Sequence, residues 1–318
     1  RLMGFRDSFY SEEELIVTNG ASEALDTSLR SIIEPGDDIL IPGPIYAGYI
    51  PLVETLGGNP VYIDTTQSDF KVTPELIESH LTHKTKAILL NYPTNPTGVI
   101  LERSEVKNIV DTLVNKHIFI ISDEIYAENT FKGQHTSFAE FPEIRDQLLL
   151  IGGLSKSHSA TGIRIGFLLG PEYLIEKLTF MHAYNCICAN VPAQIACTTA
   201  LNEGINAPLY MNRDYIERRD YLKEKLELLG FELTAQPEGA FYIFPSIKRF
   251  TENDFEFCVD VLEKAHLAMV PGSSFTDIGK GYIRISYAYD METLKKGMHR
   301  LENYLQQHYP DQMTTQTI

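Results

Sequence analysis

Seven short apolar runs, rich in β-branched residues, recur through the first half of the chain, at residues 15–17, 38–41, 61–63, 87–90, 118–121, 148–151 and 163–169. Most are apolar at consecutive positions, the pattern of strands buried on both faces. Such strands need a covering layer on each side, and helix-like segments lie between many of them. Thr73, Pro74 and Glu75 offer an N-cap, a proline at the first helical position and an early acid ahead of LIESHL. In EVKNIVDTLVNKH, the residues Val106, Ile109, Val110 and Leu113 share one helical face. Alternating strands and helices imply a layered α/β domain with a largely parallel sheet, over about residues 15–190.

From about residue 205 the texture changes. Residues 214–229 read as one long charged amphipathic helix, followed by FELTAQ, GAFYIFPSI, a helix near 254–265 and the strand YIRISYA. This is the pattern of a smaller α+β domain, and the division expected is 1–200 and 201–318.

The net charge of −16 leaves no broad electrostatic footprint for nucleic acid or an anionic membrane. No apolar run approaches membrane-spanning length, and the N-terminal RLMGFRDSFYSEEE has no signal core. Four cysteines (186, 188, 197 and 258) are too few for a disulfide framework in 318 residues. Cys186, Cys188 and Cys197 lack a companion His or Cys cluster to complete a metal site, so they read as buried or incidental thiols in a reducing cytosol, with no metal.

In open α/β sheets, ligands collect beyond the C-terminal ends of the strands. After residues 15–17 comes TNGASEAL, where Gly20, Ala21 and Ser22 open a helix with free N–H groups that favour an anion; an ordinary capped helix reads the same way. After 38–41 comes PGPIYAGY, whose Tyr46 could stack on a flat ligand or pack at the rim. After 87–90 comes NYPTNPTG, where Asn95 could bond a ligand oxygen or its own backbone. After 118–121 comes SDEIYAE, where Asp123 needs a partner, either a protonated ring nitrogen or an internal cation. Last comes SKSHSATGIRIGF. Lys156 in a partly dry pocket would have a depressed pKa suited to Schiff-base chemistry, while Ser155 and the planar fork of Arg164 suit a phosphate. A lysine near serines is usually solvated; this ordered set is far more specific than any member.

With these motifs the chain resembles the fold-type I, pyridoxal-phosphate-dependent aminotransferases of class I/II. The likeness runs from TNGASEAL through NYPTNPTG, SDEIY, SKSHSATGIRIGF and GAFY to PGSSF and YIRIS. It implies a large α/β/α domain and a smaller C-terminal α+β domain, joined in a homodimer. It also implies pyridoxal 5′-phosphate bound as a Schiff base on Lys156, with Asp123 pairing the ring nitrogen and Tyr126 and Asn95 bonding the ring oxygen. Tyr46 would stack on the ring, and Ser155, Arg164 and the Gly20-Ala21-Ser22 turn would hold the phosphate. Arg284 in YIRIS would grip the substrate α-carboxylate. The implied reaction is ping-pong transfer of an amino group from an L-amino acid to a 2-oxo acid.

Three other readings share some of these residues. A carbon–sulfur β-lyase on the same fold would differ only in its product, pyruvate plus a thiol. A transcription regulator would need a basic DNA-binding module, which these residues do not contain. A non-catalytic relic would not retain Lys156, Asp123, Arg164 and Arg284 together. Family members carry an N-terminal arm ahead of the point where this chain begins, with a glycine near the substrate and a tyrosine reaching across the dimer. The expectation is therefore a fragment of a longer chain, the alternative being a reduced form of the enzyme.

Overall fold

The structure, a computed structural model, describes residues 10–313. The chain's first nine residues, on which the expectation about its start rests, lie outside the described residues. Seven strands form one sheet: β1 (Leu15–Thr18), β2 (Asp38–Gly43), β3 (Asn59–Asp64), β4 (Thr85–Asn91), β5 (Phe119–Asp123), β6 (Leu148–Gly153) and β7 (Gly166–Leu169). Their order is β1-β7-β6-β5-β4-β2-β3. The five strands from β6 to β3 run parallel, and β7 is antiparallel to both β6 and β1. The fold is thus α/β with a mostly parallel sheet, as the sequence pattern leads one to expect.

The consecutive apolar runs have a direct cause in this sheet. Successive side chains of a strand point to opposite faces. Leu40, Ile88, Leu90, Ile120, Leu148 and Leu150 enter one core. Their neighbours Ile39, Ile41, Ala87, Leu89, Ile121, Leu149 and Ile151 enter the other. Each fully buried aliphatic side chain contributes roughly 1.5–3 kcal/mol, so the two cores dominate the stability of this part.

The helices are α1 (Ala21–Ile32), α2 (Tyr49–Thr55), α3 (Pro74–His80), α4 (Arg103–Leu113), α5 (Leu154–Ser157), α6 (Glu172–Cys186), α7 (Val191–Glu203), α8 (Ala207–Leu229), α9 (Asp254–Ala265) and α10 (Met291–His308). Thr73 caps α3 by accepting from the Leu76 N–H, with Pro74 in its first turn. Val106, Ile109, Val110 and Leu113 form the buried face of α4. A second sheet of β8 (Tyr242–Ile243), β9 (Val270–Pro271) and β10 (Ile283–Ser286), in order β8-β10-β9, shares a core with α8, α9 and α10.

Three segments differ from the sequence reading. The run 163–169 is a strand only from Gly166, because Thr161–Ile163 is a 3₁₀ turn and Arg164 is left-handed at φ 60°. The long helix begins at Ala207 rather than 214. FELTAQ forms no strand; Glu232 makes only an isolated bridge to Ser246, next to Pro245, which has no N–H to pair. Among the described residues no helix is long and apolar enough to cross a membrane.

Candidate active site

Parallel register brings the C-terminal ends of β4, β5 and β6 to one edge, where Asn91 pairs with Asp123 and Asp123 with Ile151. A cavity of about 340 Å³ opens there, within the size range of small-molecule sites. Of the residues singled out from the sequence, Ala21, Ser22, Tyr46, Asn95 and Asp123 line it, as do Tyr126, Ser155, Lys156, Arg164 and Arg284. Gly20 caps α1 at the cavity edge.

One end of the cavity is built for an anion. The first turn of α1 leaves the N–H groups of Ala21 and Ser22 without intrahelical acceptors. Gly20 has φ 81°, and a Cβ there would collide with the Arg164 guanidinium. A Cβ on Gly166 would lie 2.5 Å from the Gly20 carbonyl carbon and 2.6 Å from the Ala21 nitrogen. Two glycines thus let β7 and Arg164 close onto the start of α1. Arg164 is held by two carbonyls, donating to Thr161 O at 2.9 Å and Asn19 O at 3.3 Å. Ser155, buried, sits in the same rim and Thr161 donates to its carbonyl at 2.9 Å.

The floor is Asp123, 4% exposed. Its carboxylate is held by neutral donors: the Tyr49 hydroxyl at 2.6 Å and the Ile125 N–H at 3.1 Å. Burial pushes its pKa from an ordinary 3.8 up to about 6, against the lowering effect of those two bonds. Asn91 donates from Nδ2 to the Asp123 carbonyl at 2.9 Å and accepts the Asn95 N–H at 3.1 Å, tying the NYPTNPTG turn to the strand end.

Lys156 follows β6 on α5, with its Nζ 5.7 Å from the Tyr126 ring centre and 5.8 Å from that of Phe241. Its pKa is lowered, chiefly by burial and further by the charges of Arg284 and Arg164, with Asp123 opposing. Burial holds the Tyr126 hydroxyl well above its ordinary pKa, so it is a hydrogen-bond donor at neutral pH. It lies 2.9 Å from the Tyr242 hydroxyl.

At the far end, β10 presents Arg284. Its guanidinium carbon is 4.4 Å from the Tyr242 ring centre and 4.8 Å from that of Phe275, and Nη1 donates to Asn95 Oδ1 at 2.8 Å. Its Nε is buried with no hydrogen-bond partner among the described residues. A buried donor left unpaired is costly, and an incoming carboxylate would relieve it. Tyr46, 45% exposed, stands edge-on to Tyr49 at the mouth.

Sequence reasoning missed Tyr49, Asn91, Thr161 and Tyr242, all of which line the cavity. Tyr49 and Tyr242 lie inside motifs already quoted, PGPIYAGY and GAFY, but that Tyr49 reaches Asp123 and Tyr242 reaches Tyr126 is settled only by packing.

Comparison with known proteins finds relatives over most of the chain. The profile of the family described as aminotransferase class I and II matches residues 4–301. The chain is 45% identical over 298 residues to a probable N-acetyl-LL-diaminopimelate aminotransferase of Bacillus subtilis, spanning 94% of this chain and 75% of that protein. It is 35% identical to an aspartate aminotransferase of Thermotoga maritima, spanning 93% and 76%. The crystal structure of an aromatic aminotransferase from Pyrococcus horikoshii superposes with a TM-score of 0.89 at 33% identity, over 92% of this chain and 79% of that one.

The raised pKa of Asp123 carries a stability signature. Between its unfolded and folded pKa values the folded chain holds a proton that the unfolded chain has lost. Stability from this group is therefore greatest below about pH 4 and falls as the pH rises to about 6, by on the order of 3 kcal/mol. In urea denaturation of the cofactor-free protein, wild type should lose stability relative to Asp123→Asn across that window. Parallel curves for the two proteins would contradict the assignment.

Proposed function

The chain belongs to the aminotransferase class I and II family and is an aminotransferase, and on that premise we propose which cofactor it uses and what each residue of the cavity does. The cofactor of this reading is pyridoxal 5′-phosphate. Three features fit it: the anion cradle that a Cβ at Gly20 would fill, a buried carboxylate held by two neutral donors, and a lysine of lowered pKa lining the same cavity. The last two together carry the reading, because a buried Asp123 and a desolvated Lys156 facing one cavity suit a cationic heteroaromatic ring and a covalent anchor respectively. When bound, the cofactor supplies an electron sink for negative charge developing on a substrate carbon.

The chain's own residues do the rest. Ala21 and Ser22 N–H groups, the Gly20 turn, the Ser155 hydroxyl and the Arg164 fork hold the phosphate. Asp123 accepts from the ring nitrogen, and Tyr126 and Asn95 Nδ2 donate to the ring oxygen. Tyr46 covers the ring face. Arg284 takes the substrate α-carboxylate through its planar fork, one nitrogen already fixed on Asn95. That grip orients the substrate Cα–H bond toward Lys156, whose Nζ takes the proton once the amine is free of its anchor role. The amino group then passes from the L-amino acid, through the enzyme, to a 2-oxo acid.

In this reading residues 1–200 form the cofactor-binding domain, and 201–318 a smaller domain that brings Arg284. The 45% identical relative makes N-acetyl-LL-diaminopimelate the first donor to try. We read the enzyme as cytoplasmic and as a homodimer. Large apolar side chains on α6 and the following turn and helix support the latter: Tyr184 is 90% exposed and Ile187 81%, beside the exposed Phe180, Val191 and Ile195. A patch of that kind marks a protein interface.

Two measurements test this. With the best donor from a panel of L-amino acids and 2-oxoglutarate as acceptor, Arg284→Lys should lower kcat/KM by at least about 30-fold, the loss of roughly 2 kcal/mol of charged bidentate binding. An unchanged kcat/KM would remove Arg284 from the substrate site. In sedimentation equilibrium the wild type should run as a dimer and the double variant Tyr184→Glu/Ile187→Asp as a monomer; a dimer in both would place the interface elsewhere.

A further inference from the structure

A second cluster of chemistry-bearing side chains lies outside the cavity, where α6 packs against the start of α1. Glu23 Oε1 is 2.8 Å from His182 Nδ1 and 3.0 Å from Cys186 Sγ, and Sγ is 3.5 Å from Nδ1. His182 and Cys186 are four residues apart on α6 and so share one face. His182 is 6% exposed, and the other two are half-buried. Glu23 is anchored through its second oxygen, since Oε2 accepts the Asn19 N–H at 2.5 Å.

We propose that Glu23, His182 and Cys186 form a binding site for one zinc ion. The three ligand atoms come from three residue types, one each of O, N and S, a borderline set that suits zinc better than magnesium or calcium. Tetrahedral zinc with bonds of about 2.0–2.3 Å holds its ligand atoms ~3.5 Å apart. The Sγ–Nδ1 separation already has that value, and the two contacts to Oε1 need to open by about half an ångström, a small side-chain adjustment. The hydrogen bond from Asn19 supplies the outer support that ligating carboxylates normally carry. On binding, Sγ takes the metal and its thiol proton leaves to solvent, His182 binds through Nδ1 as the neutral imidazole, and water completes the fourth position.

Cys188 is exposed, two residues beyond Cys186, and is outside this ligand set. That makes it an internal control. The site also touches the cavity's structure, because Asn19 bonds Glu23 through its N–H and Arg164 through its carbonyl.

The test is equilibrium dialysis of the purified, cofactor-loaded protein against buffered zinc, in the absence of amino acids, followed by metal analysis and zinc-edge X-ray absorption. The expected result is one zinc per chain, with one sulfur at ~2.3 Å and nitrogen or oxygen neighbours at ~2.0–2.1 Å. Cys186→Ser and His182→Gln should each weaken binding at least tenfold, while Cys188→Ala leaves it unchanged. A zinc content near zero, a sulfur-free coordination shell in the wild type, or binding lost in Cys188→Ala and kept in Cys186→Ser would overturn the proposal and leave a hydrogen-bonded thiol cluster. The absorption spectrum of the wild type decides the matter even if a variant fails to fold.

Discussion

A carboxylate at the end of an apolar strand is expensive to bury, and in this chain the arrangement of the cavity follows from how Asp123 is accommodated. Its strand is central, with β4 and β6 on either side, so no water reaches it from the sheet edges. The two donors that hold it come from different places: Tyr49 opens α2, and Ile125 follows the strand itself. Neither carries charge, so the cost of burial appears as a pKa near 6. A cationic ring nitrogen brought within reach would reverse that shift. The same strand register that places Asp123 also sets Asn91 beside it and Lys156 just beyond the end of the next strand. Residues distant in sequence meet because parallel strands end at one level.

The second sheet matters because it closes the cavity from the other side. Arg284 on β10 reaches Asn95 on the large-sheet turn, and the hydroxyls of Tyr242 on β8 and Tyr126 after β5 lie 2.9 Å apart. Gly239 N–H bonds to the Gly98 carbonyl, so the two layers are also joined by backbone. Arg284 and Tyr126 therefore belong to one packed aromatic and polar seam. A carboxylate arriving at Arg284 Nε, which has no hydrogen-bond partner among the described residues, would be felt across it.

Much of this was legible in the sequence, for identifiable reasons. Consecutive apolar positions gave away strands buried on both faces, since each residue feeds one of two cores. The Thr73 cap and the α4 face were readable because helix starts and stripes are local. Where tertiary packing decides, the sequence was silent. It could not show that Tyr49, three residues after Tyr46, is the tyrosine that turns inward onto Asp123, nor that Asn91 rather than the turn residues would brace the strand end. The run 163–169 misled because Ile163 and Ile165 look like strand, while a left-handed Arg164 between them is what brings the guanidinium back to α1. Glu23, His182 and Cys186 were unreadable as a group, being 159 residues apart at the nearest cross-helix pair.

The most direct test of the central claim is chemical. The purified protein would be incubated with pyridoxal 5′-phosphate, reduced with borohydride, digested and mapped by mass spectrometry. If Lys156 is the covalent anchor, the phosphopyridoxyl group will be found on the peptide containing Lys156, at close to one per chain, and on no other lysine in comparable yield. A modification spread over exposed lysines, or concentrated on a lysine outside the cavity, would contradict the account.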